Sequence, residues 1–498
     1  MTLTRPGPLA PEKTAGPTAT PPHTEVQPLG DGPLSADAVL RARWLEVLLG
    51  DPLCSAGPCG RTPSRAAREV PVPSGALGAV LPGPAGVRRL GAHGIVRVLR
   101  PLFRRDLGLG HAWAVRPLAG VVAGEEAGAA GGDLGALLGP AALVAAAGGA
   151  LHTTARLVDR LAAREAGVRQ WQPVLAADFA DLLACESLTA VALRAVDLTA
   201  GGTPALTAAA GYVVPQLAGQ VLDDLELVLN DCGFGPDTAE RRALAKLAAD
   251  REATGTGPAA AAACRARLVR ALPSLADPDC GTLRADVVPQ EGRGHAVSRE
   301  LFLLGRTVTA HTGTRTGVVS TADVAAALTA AAGRPDGRTG DDPGVAALTR
   351  VARRLATEQR TLRLPYPAAG QTGPVDPVDP VAPAGPVARA LADRQALLLL
   401  AAAVLGVGQE ADGFLGGPHW ALLALARVTR RLGTPLPQPA ADPAGDVWAE
   451  LAERTRQGVD CDVYGSELLW AGTGTGAEAG AGAGTGTEAG RRRSGGGT

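Results

Sequence analysis

Few residues of this chain combine a reactive type with a useful spacing, and most of them are carboxylates. Glu186 lies beside Cys185 within an apolar helical segment, where it either pairs with an arginine such as Arg194 or contributes to a functional site. Residues 223–226 contain three acids on one predicted helix. Because adjacent residues do not share a helix face, these acids predict a solvated polar surface.

Metal-binding and nucleotide-binding motifs are absent from the sequence. It contains no phosphate-loop lysine, no His-Glu-x-x-His pair and no Gly-x-Ser-x-Gly turn. No two of the seven histidines are three or four residues apart, so a local histidine metal site is not expected. Cys54 and Cys59 could form half of a metal site, but the sequence contains no second Cys or His pair with a matching spacing. The odd number of cysteines favours reduced thiols in the cytoplasm.

The composition limits the class of protein. The chain has 498 residues, a net charge of −1 and only 3% aromatic residues. A near-neutral charge does not favour binding to nucleic acid or to an anionic membrane. The longest apolar run, residues 396–407, is too short to span a membrane. Strand signals are weak, so we predict a mainly α protein whose core consists of Leu, Val and Ala.

Apolar residues recur with helical spacing along most of the chain. One helix is predicted to start near Ser35, and another is predicted to start at Pro215 and to end at the turn of residues 230–233. The remaining predicted helices cover residues 94–109, 143–164, 174–196, 259–275, 298–305, 321–332, 345–364, 387–405, 420–432 and 447–458.

The helix predicted at residues 94–109 has arginines outside its apolar face. These are Arg97, Arg100, Arg104 and Arg105. They predict a solvated helix face with ion pairs to neighbouring elements. The alternative is a patch that binds an anionic ligand.

Residues 174–257 contain three short motifs. They are Leu-Ala-Ala-Asp-Phe at residues 175–179, a turn at 229–234 followed by Glu240-Arg241, and Thr254-Gly255-Thr256. Their order and approximate spacing resemble those of the C-terminal helical domain of acyl-CoA dehydrogenases, in which the corresponding motifs open a long helix, form a glycine turn and reach the edge of the flavin. Further similarity, to an actinobacterial subgroup of the family with extra C-terminal helices, lies at residues 97–113, 387–406, 413–433 and 458–468.

The resemblance implies an acyl-CoA dehydrogenase-like helical bundle without the family's middle β-barrel. A barrel needs roughly 70 residues or more, and the Gly/Ala-rich stretch between His111 and Leu151 is too short and too poor in β-branched residues. The predicted order is a disordered tail (1–36), an N-terminal helical domain (37–117), a connector in place of the barrel (118–142), the helical bundle (143–280), an additional helical region (281–373), a proline-rich linker (374–386), a C-terminal helical region (387–470) and a disordered tail (471–498).

The resemblance also implies where the family's chemistry would take place. A glutamate removes the proton α to a thioester carbonyl while FAD accepts a hydride from the β carbon. Thr254 occupies one usual position of this glutamate, which leaves Glu252 as the candidate catalytic base. The other family position, near residues 138–140, contains no acid, and Asp133 is the nearest. The candidate FAD contacts are Arg164, Gly233, Gly255 and Thr256.

Three interpretations remain open at this point. The first is a degenerate subunit that no longer turns over by itself and associates, as a homo-oligomer or with a full-length acyl-CoA dehydrogenase, in lipid or secondary metabolism. The second is an active enzyme that acts on an acyl-CoA or acyl-carrier-protein thioester, either as a FAD-dependent dehydrogenase with a remodelled site that forms a 2,3-double bond or as a flavin-free catalyst. The third is that the missing β domain is an artefact of the gene sequence and that the product is unstable. Each assumes a cytoplasmic protein.

Overall fold

The computed structural model describes residues 33–50, 53, 84–122, 128–199, 203–276, 299–305, 319, 321–333, 342–362, 385–435 and 442–470. In these ranges the chain is mainly helical, as predicted, and its β-type pairing is one isolated antiparallel bridge between Val459 and Glu467. Most of the predicted tails and linker, and the Cys54 and Cys59 pair, lie outside the described residues.

The helices of the described ranges are numbered in chain order. They are α1 Pro33–Leu49, α2 Pro84–Arg105, α3 Leu107–Gly110, α4 Arg116–Val122, α5 Gly128–Ala162, α6 Gln172–Leu198, α7 Pro204–Asp231, α8 Ala239–Ala253, α9 Pro258–Ala276, α10 Thr321–Ala332, α11 Pro343–Leu362, α12 Pro386–Glu410, α13 Gly413–Gly416, α14 Pro418–Arg431 and α15 Ala444–Gln457. A π-helical turn, His111–Val115, joins α3 to α4, and a 3-10 turn, Ala166–Trp171, precedes α6.

Several helices begin earlier than the sequence predicts, and α2, for example, begins at Pro84 and not at residue 94. Helix α1 begins at Pro33, inside the predicted tail, and α5 begins at Gly128, so residues 128–142 of the predicted connector are helical. Helix α7 begins at Pro204 and contains Pro215 in its interior. An interior proline costs about 3 kcal/mol in an isolated helix. Pro215 is buried here, so packing against neighbouring helices offsets this cost.

Three helices at the centre of the bundle are long and apolar enough to cross a membrane on length and composition alone. The apolar windows lie within Gly132–Ala162, Pro204–Asp231 and Pro386–Glu410, and 78–83% of each window is buried inside the protein. The short apolar run at residues 396–407 lies within the third of these helices, whose apolar window also includes residues outside that uninterrupted run. The burial of the three windows shows that these apolar faces form the protein core.

The position of α2 depends on a glycine and on an acid from a distant helix. Gly91 has φ +70° and divides α2 into two segments. The Asp197 carboxylate of α6 accepts hydrogen bonds from the backbone N–H groups of Ala92 (2.6 Å) and His93 (3.2 Å). It thereby satisfies donors that a helix N-terminus leaves unpaired. A Cβ at Gly91 would lie 2.8 Å from this carboxylate, so the approach requires glycine.

Candidate functional site

The predicted catalytic position lies at the end of α8, against α5. Thr254 and Thr256 are buried, and Gly255 between them adopts φ +74°. Both hydroxyls donate to the Arg251 carbonyl, at 3.0 and 3.3 Å. A Cβ on Gly139 of α5 would lie only 3.3 Å from Thr256 Cγ2. The two positions that the resemblance implies for the base therefore adjoin each other, and neither carries a carboxylate.

The two carboxylates nearest in sequence lie in different environments. Glu252 is exposed to solvent at the end of α8, whereas a base for a carbon-bound proton requires a partly desolvated position. Asp133 is buried, but its carboxylate accepts a hydrogen bond of 2.6 Å from the backbone N–H of Thr203. Asp133 thus anchors the start of α7.

Two of the candidate FAD contacts lie near the C-terminal end of α5. Arg164 is exposed just beyond this helix, and Gly233, with φ +79°, turns the chain after α7. The two segments are linked because Trp171 Nε1 donates a 2.7 Å hydrogen bond to Asp231.

The other two candidate FAD contacts, Gly255 and Thr256, lie beside Gly139. A helix rises about 1.5 Å per residue, so α5 separates Gly139 from Arg164 by roughly 35 Å. The structure therefore does not bring the four predicted contacts together around one ligand.

A buried group of charges, the Asp460 network, lies where the segment after α15 meets α1, α2 and α6. All of its side chains are at most 7% exposed. Its members are Glu46, Arg100, Arg104, Glu186, Asp460 and Asp462.

Two arginines on successive turns of α2 organise this network. Asp460 Oδ2 accepts from Arg100 Nε at 2.8 Å and also from Arg104. Arg100 pairs in addition with Glu186 of α6, and Arg104 with Glu46 of α1. The C-terminal segment is thereby joined through α2 to both helices.

The backbone of the C-terminal segment is bound in the same place. The Asp462 carboxylate accepts a 3.0 Å hydrogen bond from the backbone N–H of Tyr464, and Glu186 accepts one of 3.1 Å from that of Val463. Arg454 of α15 donates to the Asp462 carbonyl at 2.6 Å. Side chains thus satisfy backbone groups that no regular secondary structure pairs.

The carboxyls of the Asp460 network differ in their affinity for protons. Burial by itself would raise the pKa of Asp460, but Arg104 and Arg100 together hold this pKa well below its usual range. Burial raises the pKa of Glu186 to about 8 against the opposing effect of Arg100. Four carboxyls face two guanidinium groups, so Glu186 binds a proton more readily than an ordinary glutamate, whereas Asp460 favours its ionised form.

A second group, the Asp178 cluster, lies between α6, α7 and α14. Arg427 Nε contacts Asp181 Oδ2 at 2.6 Å, whereas its Nη2 is 3.8 Å from Asp178 and 4.0 Å from Asp224. Asp178 is fully buried, and no N–H group donates a hydrogen bond to either of its oxygens. The members are Asp178, Asp181, Asp224, Arg427 and Arg431.

The aspartates of this cluster bind protons more tightly than ordinary carboxyls. Burial raises the pKa of Asp178 well above its usual range, and the adjacent Asp224 and Asp181 add to this effect. Burial raises the pKa of Asp181 to about 7 although Arg427 opposes it. The Asp224 side chain is 33% exposed, so the cluster can exchange protons with solvent.

An apolar crevice between α10, α11, α12 and α14 does not involve either charged group. It encloses about 450 Å³, including its open mouth, and is lined by residues such as Val345, Leu348 and Val404. None of the predicted site residues contributes to its wall.

Sequence reasoning was partly wrong about these charged residues. Arg100 and Arg104 do form ion pairs, as predicted, but they are buried and not solvated. Glu186 pairs with Arg100, whereas Arg194 donates to the Glu300 carbonyl. The signal that could have revealed the network is the alternation of acids with apolar residues in Val-Asp-Cys-Asp-Val, residues 459–463.

No group of three or more His, Cys, Asp or Glu side chains in the described part of the chain is arranged to hold a metal ion. Comparisons with protein-family models, with curated proteins and with solved structures find no match to this chain.

Proposed function

We propose that the protein is an acyl-CoA dehydrogenase-like subunit that does not itself catalyse dehydrogenation. It would act as a helical partner of an active enzyme in acyl-thioester oxidation, in lipid or secondary metabolism. The observation that carries this proposal is the contact of Thr256 with Gly139, beside buried Thr254. Both family positions for the base meet here without a carboxylate.

The chemistry of the reaction explains why this observation matters. The α proton of an acyl thioester leaves only when a base and a hydride acceptor are held at adjacent carbons of one substrate. The threonine hydroxyls are committed to the Arg251 carbonyl, and a hydroxyl is a poor base without a second group to activate it.

The separation of the candidate cofactor contacts supports loss of FAD. Arg164 and Gly139 lie roughly 35 Å apart along α5, which is too far for residues that contact one flavin ring. The bundle itself is well held, because the Asp460 network ties three helices to the C-terminal segment. A partner subunit needs such a defined surface but no closed active site.

We further propose a cytoplasmic location. The helices with membrane-spanning length bury most of their apolar windows inside the bundle. Large exposed apolar side chains in the described ranges number seven, too few for a lipid-facing belt around three helices.

The visible absorption spectrum of the purified chain tests the proposal. We expect a colourless protein that remains so after incubation with FAD and gel filtration. A full-length acyl-CoA dehydrogenase purified in parallel serves as the control for flavin retention. Near-stoichiometric flavin that bleaches on addition of an acyl-CoA would instead establish an active FAD-dependent dehydrogenase.

Co-expression with a full-length acyl-CoA dehydrogenase of the same organism tests the role as a partner. We expect one complex of both chains in which the flavin content equals the amount of the full-length chain. Elution as two separate species at all concentrations would contradict a partner role.

A further inference from the structure

Large apolar side chains are exposed on one face of α1. Leu40 is 65% exposed, Trp44 44%, Val47 71% and Leu48 47%. We call these four residues the α1 stripe. Their spacing of i, i+4, i+7 and i+8 places them along one side of the helix. The other exposed large apolar residues of the described ranges, Leu227, Val387 and Leu469, are isolated in sequence from one another.

The opposite side of α1 is firmly attached to the bundle. Ala38, Leu45 and Leu49 are buried in the core, and Glu46 pairs with Arg104 in the Asp460 network. The orientation of α1 is therefore set by packing and by a buried ion pair. The α1 stripe points away from the core as a consequence.

Three of the four residues of the α1 stripe are placed symmetrically about Trp44. Leu40 and Leu48 each lie four residues from it, in opposite directions. If a two-fold axis passes beside Trp44, an antiparallel copy of α1 places Leu40 of one chain against Leu48 of the other, and the two Trp44 rings against each other. A two-fold interface requires such self-complementarity. We propose that the α1 stripe is the interface of a homodimer, formed by antiparallel packing of α1 on α1.

The charges on α1 favour a protein partner over a membrane surface. The helix contains two arginines and two acids and is neutral overall. A helix that binds anionic membranes is instead rich in lysine and arginine on its polar face. Arg43, moreover, is paired with Glu467 of the C-terminal segment. Association through this face is therefore driven by the burial of apolar side chains. The α1 stripe of a second copy supplies a matching apolar surface.

The size of the α1 stripe sets the expected affinity. A standard stable interface buries about 800 Å² per partner, which is more than four side chains supply. We therefore expect a reversible dimer that dissociates in the range of about 1–100 µM. This inference does not rest on the proposed function.

Sedimentation velocity of the full chain over this concentration range tests the dimer. We expect the weight-average mass to rise toward twice that of the monomer. The double variant Leu40→Gln, Leu48→Gln should raise the dissociation constant at least about tenfold. Leu227→Gln, which changes a leucine of similar exposure (56%) on α7, is the matched control and should leave it unchanged. A monomer throughout the range, or equal effects of both variants, would overturn the proposal.

A cross-linking experiment tests the symmetry independently of affinity. Identical positions come within disulfide distance only beside a two-fold axis. Trp44→Cys should therefore form a disulfide-linked dimer under mild oxidation, whereas Leu227→Cys and the unchanged chain should not. Far-UV circular dichroism confirms that each variant is folded. Equal cross-linking of all three chains would contradict packing about Trp44.

The two proposals can fail separately. A yellow protein that bleaches with acyl-CoA rejects the non-catalytic role whatever its mass. A colourless monomer rejects the α1 dimer and leaves the proposed role intact.

Discussion

Helix α6 carries buried carboxyls that belong to two different environments about two turns apart. In the Asp460 network, Asp460 lies between two guanidinium groups and its pKa is lowered. In the Asp178 cluster, Asp178 is equally buried but lies beside other carboxyls, and its pKa is raised. Burial is therefore the same in both places, and the number of nearby donors decides the charge state.

This difference indicates different roles. A buried ionised carboxylate with two arginine partners defines how helices meet, since removing one partner leaves uncompensated charge. The Asp178 cluster has three carboxyls and one close arginine contact, at Asp181. The pKa values of Asp178 and Asp181 are raised, so the contribution of the cluster to stability depends on pH.

The largest expected effect is that of Asp460→Asn. Arg100 and Arg104 would lose the carboxylate that they share, and the free energy of unfolding should fall by about 3 kcal/mol. Urea unfolding at pH 7 measures this change. Glu453→Gln removes an exposed partner of Arg456 on α15 and should cost less than about 0.5 kcal/mol. Equal losses in the two variants would show that the Asp460 network adds no more than a surface pair.

Arg427→Met should distinguish the two groups through pH. Without Arg427 the Asp178 cluster loses its one close cation and keeps only Arg431, which forms no ion pair with these acids within 4 Å, so we expect the free energy of unfolding to fall by about 2 kcal/mol at pH 8. At pH 5 the loss should shrink, because Asp178 and Asp181 bind protons readily. Asp460→Asn should show no such recovery at pH 5, since the pKa of Asp460 lies well below this value. If the loss of unfolding free energy changed between pH 8 and pH 5 by the same amount in both variants, the two charged groups would not differ in their response to pH.

The pH dependence of the unmodified chain follows from the same pKa values. Asp181, at about 7, and Glu186, at about 8, bind protons in the folded state that the unfolded chain releases near 3.8 and 4.5. Their contribution is fully present at low pH and is lost as pH rises through 7 to 8. The contribution of Asp460 to stability changes with pH in the opposite direction, because its pKa is lowered in the folded state. This contribution is lost as pH falls below about 4. The free energy of unfolding, measured by urea titration, should thus peak near pH 4 to 5 and decrease as pH rises toward 8.

The smallest expected effect is that of Asp178→Asn, and its sign is reversed. Asparagine has the shape of a protonated aspartate, so it removes the repulsion from Asp181 and Asp224. We expect a gain of about 1 kcal/mol at pH 8 and no change at pH 5. The same substitution at Asp460 destabilises. A loss at Asp178 that matches the loss at Asp460 would mean that Asp178 is ionised and paired.

The helices were largely predictable from the sequence. Thr321–Ala332 was predicted with the observed bounds, and α9, α11, α14 and α15 were predicted within a few residues. The error at α7 arose at Pro215, where the local cost of proline suggested a helix start. Burial against neighbouring helices outweighed this local preference.

The sequence motifs also led to the candidate residues of the predicted site, but not to their positions. Glu252 and Thr254 are two residues apart, and yet the first is exposed and the second buried. Gly255 and Arg164 belong to one predicted site, and yet Thr256, next to Gly255, packs on Gly139 in the first half of α5, whereas Arg164 follows the C-terminal end of this helix. The spacing of motifs gives the number of residues between them. It does not determine where the intervening helices place those residues in space.

By itself, the sequence determined that this chain forms long helices with cores of Leu, Val and Ala, because apolar periodicity and caps act within a few residues. Only the tertiary structure decided which buried acids are ionised. Arg100 and Asp460 are 360 positions apart and meet at 2.8 Å, while Asp178 receives no comparable donor. The charge of a buried group depends on neighbours brought from distant helices, and no local pattern specifies them.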